Sequence, residues 1–169
     1  MNLVRLIILF FMVAGIPAIA EESTQSIASS TSSKMAAAIE QTNFITENKP
    51  NPKAQYYMFF YTASWCSPCR AVMPKIIAEY AKMKANDYME IIVISFDDDE
   101  PSALAYLSKA GAPFAALMNS SAEPAKLPGC LTDVCSVPHI VVVDSEGKFI
   151  YRGHALRYEQ WKSRTSVAQ

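Results

Sequence analysis

The segment FFYTASWCSPCR, residues 59–70, carries the residues best suited to chemistry: Cys66 and Cys69, with two residues between them. A cysteine pair at this spacing supports three chemistries. It can clip a metal, brace the chain as a structural disulfide, or cycle between dithiol and disulfide. The residues before it, AQYYMFFYTAS, are aromatic and apolar without a polar face, which predicts a buried central strand. Those after it, CRAVMPKIIAEYAKMKAN, put Val72, Ile76, Ile77 and Tyr80 at helical spacing. Cys66 therefore falls where a strand ends and a helix begins. The first N–H groups of a helix lack backbone partners, and the helix dipole adds partial positive charge there. Both effects favour a thiolate, and cysteines so placed titrate at about 3.5–7.5. The thiolate is the nucleophile of disulfide exchange. Cys69 lies one turn on and can reach back to close a disulfide. Cys66 thus reads as the attacker and Cys69 as the buried resolver. Pro68 costs no hydrogen bond in a first turn. Trp65, Ser67 and Pro68 are the candidate substrate contacts on this side of the pair.

The other two readings are weaker. A metal would need Cys130 and Cys135 as further ligands, against both the strand-to-helix context and the compartment argued below, so no metal or organic cofactor is expected. A structural disulfide at Cys66–Cys69 would close a loop too short to restrict the unfolded chain much.

Bulk properties narrow the partners. The formal net charge is -1 over 169 residues, which gives no electrostatic basis for binding nucleic acid or an anionic membrane. The first twenty residues, MNLVRLIILFFMVAGIPAIA, hold Arg5, then an apolar run, then Ala18-Ile19-Ala20, a small-x-small cleavage pattern. They read as a secretory signal peptide, with an uncleaved anchor as the rival. Either way the remainder is expected outside the cytoplasm, periplasmic or secreted, where disulfides persist. Residues 21–33, EESTQSIASSTSS, read as a flexible polar tether, and residues 34–169 as one domain.

Within that domain, KMAAAIEQTNFI predicts a helix and NKPNPK a turn. MEIIVISF predicts a second buried strand. DDDEPSALAYLSKAG predicts a helix with acids at its start and a stop at Gly111. A calcium reading of the acids is the lesser alternative. PHIVVVD and KFIYRG around SEG predict a hairpin, and LRYEQWKSR a closing helix. The order implies an α/β sheet covered on both faces.

WCSPCR, with Pro74 five residues after Cys69, resembles the thioredoxin superfamily. FFYTASWCSPCR is most similar to the tryparedoxin and nucleoredoxin branch. The exported setting and the extra material before Pro138 resemble bacterial extracytoplasmic thiol-disulfide oxidoreductases. The resemblance spans about residues 54–155. It implies a thioredoxin-like fold: a central mixed β-sheet flanked by helices on both faces, with a strand–helix insertion before a cis-proline. It implies that Pro138, in SVPHIVVVD, is that cis-proline beside the catalytic pair, and that the Val137 backbone pairs with bound substrate. His139 stands where threonine is common; it could tune Cys66, but the simpler reading is packing on a strand. Phe60 stands where thioredoxins carry a buried aspartate, which leaves the base for Cys69 unassigned. Glu79 and Asp97 are candidates, each fitting a solvated helix surface better.

Cys130 and Cys135, in GCLTDVCSVP, are placed by the resemblance beside the active site. A structural disulfide, a second redox pair, and free or metal-bound thiols all remain open. The sequence thus predicts an exported oxidoreductase acting on protein thiols and disulfides, served by a redox donor or acceptor that can be membrane-bound. A redox-inert binding or chaperone module and a thiol peroxidase are the alternatives. Thr62 sits one residue too far from Cys66 for the usual peroxidase pattern.

Overall fold

The computed structural model describes residues 32–84 and 87–157. The expected signal peptide, nearly all of the tether, and the expected closing helix from residue 158 on lie outside the described residues.

Among the described residues, five strands form one mixed sheet in the order β3-β2-β1-β4-β5. Strands β1 (Tyr56–Thr62), β2 (Met89–Ser95) and β3 (Ala115–Met118) are mutually parallel. Strands β4 (His139–Asp144) and β5 (Phe149–His154) add an antiparallel hairpin beside β1. The helices are α1 (Lys34–Glu40), α2 (Ser67–Lys84) and α3 (Glu100–Ala110).

Side chains alternate across a strand, so each central strand feeds two cores. Met58 and Phe60 of β1 join Ile91 and Val93 of β2 and Ile140 and Val142 of β4, under Val72, Met73 and Ile76 of α2 and Leu107 of α3. Tyr57, Phe59 and Tyr61 join Ile92, Ile94, Val141 and Val143 on the other face, under Met35 and Ile39 of α1. Burying each such side chain contributes about 1.5–3 kcal/mol. Two apolar faces explain why β1 and β2 show no polar alternation in sequence.

Three local expectations are refined. The first helix stops at Glu40, short of the predicted Ile45. Thr42 Oγ1 donates back to Ala38 O, and Ile45 N–H donates to Ala116 O, so this stretch runs along β3 instead and covers its free edge. The helix after DDDE has Asp99 as its N-cap, accepting from Ser102 N at 2.7 Å, and ends at Gly111 with φ 64°. The stretch before Pro138 holds β2, α3, the short β3 and a one-turn 3-10 helix at Pro124–Lys126.

Candidate active site

β1 delivers the site to one end of the sheet and α2 begins there. Ala63 to Cys66 turn between them, with Cys66 N–H donating to Ala63 O. Cys66 and Cys69 are joined as a disulfide. Cys66 precedes the first residue of α2, and its carbonyl accepts from Arg70 N–H, the first bond of the helix. Its sulfur accepts from the Cys69 backbone N–H at 3.2 Å. The sulfur therefore occupies the place of an N-cap oxygen. When the disulfide opens, that N–H and the helix dipole stabilise negative charge on Cys66. Cys69 is wholly buried, whereas Cys66 keeps a sliver of surface at 5%. Only Cys66 is open to a large substrate.

The turn before Cys66 is held from below by a carboxylate. Asp97, predicted to lie on a solvated surface, is buried and sits in the loop between β2 and α3. Ser64 donates to it twice, from its N–H at 2.9 Å and from its Oγ at 2.6 Å. Ser95 Oγ donates to its other oxygen at 2.9 Å. Arg70 Nη1 closes the set by donating to Ser64 O at 2.7 Å. Charge-assisted bonds of this kind are worth about 1.5–3 kcal/mol each. Glu79 does keep a surface role, paired with Lys82 at 3.2 Å. Sequence reasoning passed over Ser64, Ser95 and Asp97 as a unit. The signal was the polar Ser-x-Asp ending an otherwise apolar buried strand.

The opposite wall comes from the start of β4. The Val137–Pro138 peptide bond is cis. Val137 and Phe96 pack against the cluster formed by Ala63, Cys66 and Cys69. Strand pairing with β1 begins one residue beyond Pro138, at His139 opposite Tyr61, so Val137 lies past the ladder. Trp65 is 61% exposed beside the disulfide, and Ser67 and Pro68 are exposed next to it. Trp65, Ser67, Pro68 and Val137 thus surround the accessible edge of Cys66. His139 belongs to the packing: its ring meets Tyr61 edge-on at 6.2 Å. Burial, with Arg152 and His154 nearby, holds its pKa below the ordinary value. Its buried Nε2 has no hydrogen-bond partner among the described residues.

Of the readings left open for Cys130 and Cys135, the structure shows no bond between them; both are free thiols. The reason is that their side chains face different surroundings. Cys130 Sγ lies 3.5 Å from Tyr61 Oη, packed against the α1-side core, and burial pushes its pKa up to about 12. Cys135 is exposed, and buried Val134 anchors the loop between them. Leu131 N–H donates to Tyr61 Oη at 2.7 Å. Gly129 and Gly147 let this loop pack on the β4–β5 turn. A Cβ at Gly147 would strike Pro128, and one at Gly129 would come within 2.7 Å of Gly147 O.

Comparison with known proteins agrees with this geometry. Residues 54–149 match the family model described as thioredoxin-like. The chain is 30% identical over 91 residues to probable nucleoredoxin 1 of Arabidopsis thaliana, covering 54% of this chain and 15% of that one. It is 32% identical over 92 residues to the thiol:disulfide interchange protein HelX of Rhodobacter capsulatus, covering 54% and 48%. The chain thus spans less than half the length of either relative. Tryparedoxin II from C. fasciculata superposes with a TM-score of 0.60 at 22% identity, over 79% of this chain and 95% of that one, a likeness of fold. A redox-type cysteine pair capping a helix, facing a cis-proline on a mixed sheet, and a family match over more than half the sequence lead to one conclusion: this chain belongs to the thioredoxin-like family.

Proposed function

We propose that this protein is a thiol-disulfide oxidoreductase working outside the cytoplasm. The observation that carries the reading is the Cys66–Cys69 disulfide at the start of α2, with the Cys69 N–H directed at Cys66 Sγ. In the reducing direction, the Cys66 thiolate attacks one sulfur of a substrate disulfide. That bond breaks, the displaced substrate sulfur leaves as a thiolate and takes a proton, and Cys66 is left in a mixed disulfide. The Cys69 thiol then gives up its proton and attacks Cys66 Sγ. The second substrate sulfur departs, and the Cys66–Cys69 disulfide is restored. Oxidation of a substrate dithiol is the same path reversed. Trp65 and the Val137 backbone are the surfaces on which an extended substrate segment would lie.

Export is supported by the signal-like first twenty residues. The partners would then be extracytoplasmic proteins bearing thiols or disulfides, and a redox donor or acceptor, membrane-bound or soluble. The test is insulin reduction by dithiothreitol, followed as turbidity. The wild type should accelerate it and Cys66→Ser should reduce that acceleration to background. Equal acceleration by the variant would remove Cys66 from the chemistry.

A further inference from the structure

We propose that Cys135 and Cys130 form a second dithiol–disulfide couple that exchanges electrons with Cys66–Cys69 inside one chain, Cys135 attacking and Cys130 resolving. The inference rests on the oxidoreductase reading of Cys66.

Three observations carry it. First, a short chain of neighbours links each thiol to the cluster that holds the catalytic disulfide. Cys135 is two residues before Val137, which packs on the cluster of Ala63, Cys66 and Cys69. Two peptide units span at most about 7 Å, so Cys135 stays close to that contact. Cys130 lies against Tyr61, whose ring meets Phe96 at 6.4 Å, and Phe96 packs on the same cluster. Second, the two couples stand in opposite redox states, Cys66–Cys69 as a disulfide and Cys130 and Cys135 as free thiols. The bonded pair can therefore serve as the oxidant for the two thiols, and no outside reagent is required. Third, the asymmetry of the first pair is repeated. Cys135 is exposed and Cys130 is half-buried, as Cys66 is accessible and Cys69 is not.

The exchange balances. The Cys135 thiol loses its proton and attacks Cys66 Sγ. The Cys66–Cys69 bond breaks, and Cys69 leaves as a thiolate that takes up a proton. A Cys66–Cys135 bond now links the two sites. Cys130 gives up its proton, attacks Cys135 Sγ and displaces Cys66, which is protonated in turn. Two electrons have moved to Cys66 and Cys69, and Cys130–Cys135 is the new disulfide. Cys130 must leave Tyr61 for this step. The loop is held at Leu131 and Val134, and Thr132 and Asp133 between them are exposed, so the step requires those two contacts to yield.

The test isolates the first step. Full-length Cys69→Ser/Cys130→Ser protein keeps only Cys66 and Cys135. It is reduced, desalted and treated with one equivalent of dithiobis(nitrobenzoate). The proposal expects two equivalents of thionitrobenzoate, released by whichever thiol reacts first and then by its neighbour. The second release should be independent of protein concentration, and peptide mapping should find a monomeric Cys66–Cys135 disulfide. A stable mixed adduct on either cysteine, or second-order release with dimer formation, would overturn it. In Cys69→Ser, which retains Cys130, the product should instead be a Cys130–Cys135 disulfide with Cys66 free; persistence of Cys66–Cys135 would overturn the resolving role. Failure of insulin reduction strikes the oxidoreductase reading; normal insulin reduction with no Cys66–Cys135 bond strikes this inference alone.

Discussion

The two cysteine pairs sit within one protein and meet different physics. Cys66 heads a helix, and its sulfur receives a backbone N–H at 3.2 Å. Cys130 lies in a loop with its sulfur against an apolar core, facing a phenol whose oxygen already accepts from Leu131. The first setting favours the thiolate, and the second opposes it. Spacing alone does not separate these cases; the partner of each sulfur does.

The largest expected effect is in alkylation of the reduced protein. With its pKa near 12, Cys130 carries about a thousand-fold less thiolate at pH 7.5 than an ordinary cysteine. Mass-resolved iodoacetamide labelling should modify Cys66 and Cys135 first and Cys130 slower by about a hundred-fold or more. The Cys130 rate should rise about tenfold per pH unit through the range 7–9, because its thiolate remains a minor species there. Equal rates for the three thiols would erase the contrast.

Asp97→Ala sharpens the contrast from the other side. It leaves the Ser64 N–H and hydroxyl and the Ser95 hydroxyl without their acceptor. A loss of about 2–4 kcal/mol in denaturant unfolding is expected. The Cys66–Cys69 chemistry should slow, while Cys130 labelling in the folded protein stays unchanged. Altered Cys130 labelling would mean that the two regions are coupled through the turn at Ser64.

The smallest effect belongs to Glu90, at the opposite end of β2 from Ser95. It is buried and accepts from Tyr80 Oη at 2.9 Å. Burial raises its pKa against the lowering effect of that bond. Between the unfolded carboxyl's ordinary value and the raised folded value, the native state holds more protons. Stability from this group is therefore present below the unfolded pKa and is lost as pH rises through the folded one. Glu90→Gln should unfold a few degrees higher at pH 7 and show a smaller advantage near pH 4, by thermal melts. Both cysteine pairs should react as in the wild type. A lower melting temperature at pH 7 would show that the carboxylate is a net stabiliser.

Much of this arrangement was legible in the sequence, for identifiable reasons. Apolar runs without polar alternation mark β1, β2 and β4 because those strands are buried on both faces. WCSPCR marks the helix start, and Gly111 its neighbour's end. What escaped were contacts between distant segments. Asp97 looks like a surface acid within DDDE, and only the fold brings Ser64 to it across 33 residues. Tyr61 reads as one more core aromatic, yet its hydroxyl serves Leu131 from 70 positions away. The first helix ends early because Ile45 and Thr46 find partners on β3, which no local propensity encodes.

The most direct measurement of the central claim is a glutathione redox titration of the purified protein, acid-quenched and mapped by differential alkylation. The account predicts that Cys66 and Cys69 interconvert reversibly between dithiol and disulfide as one two-electron couple. A Cys66–Cys69 pair that stays in one state across the titration, while the protein remains folded, would contradict it.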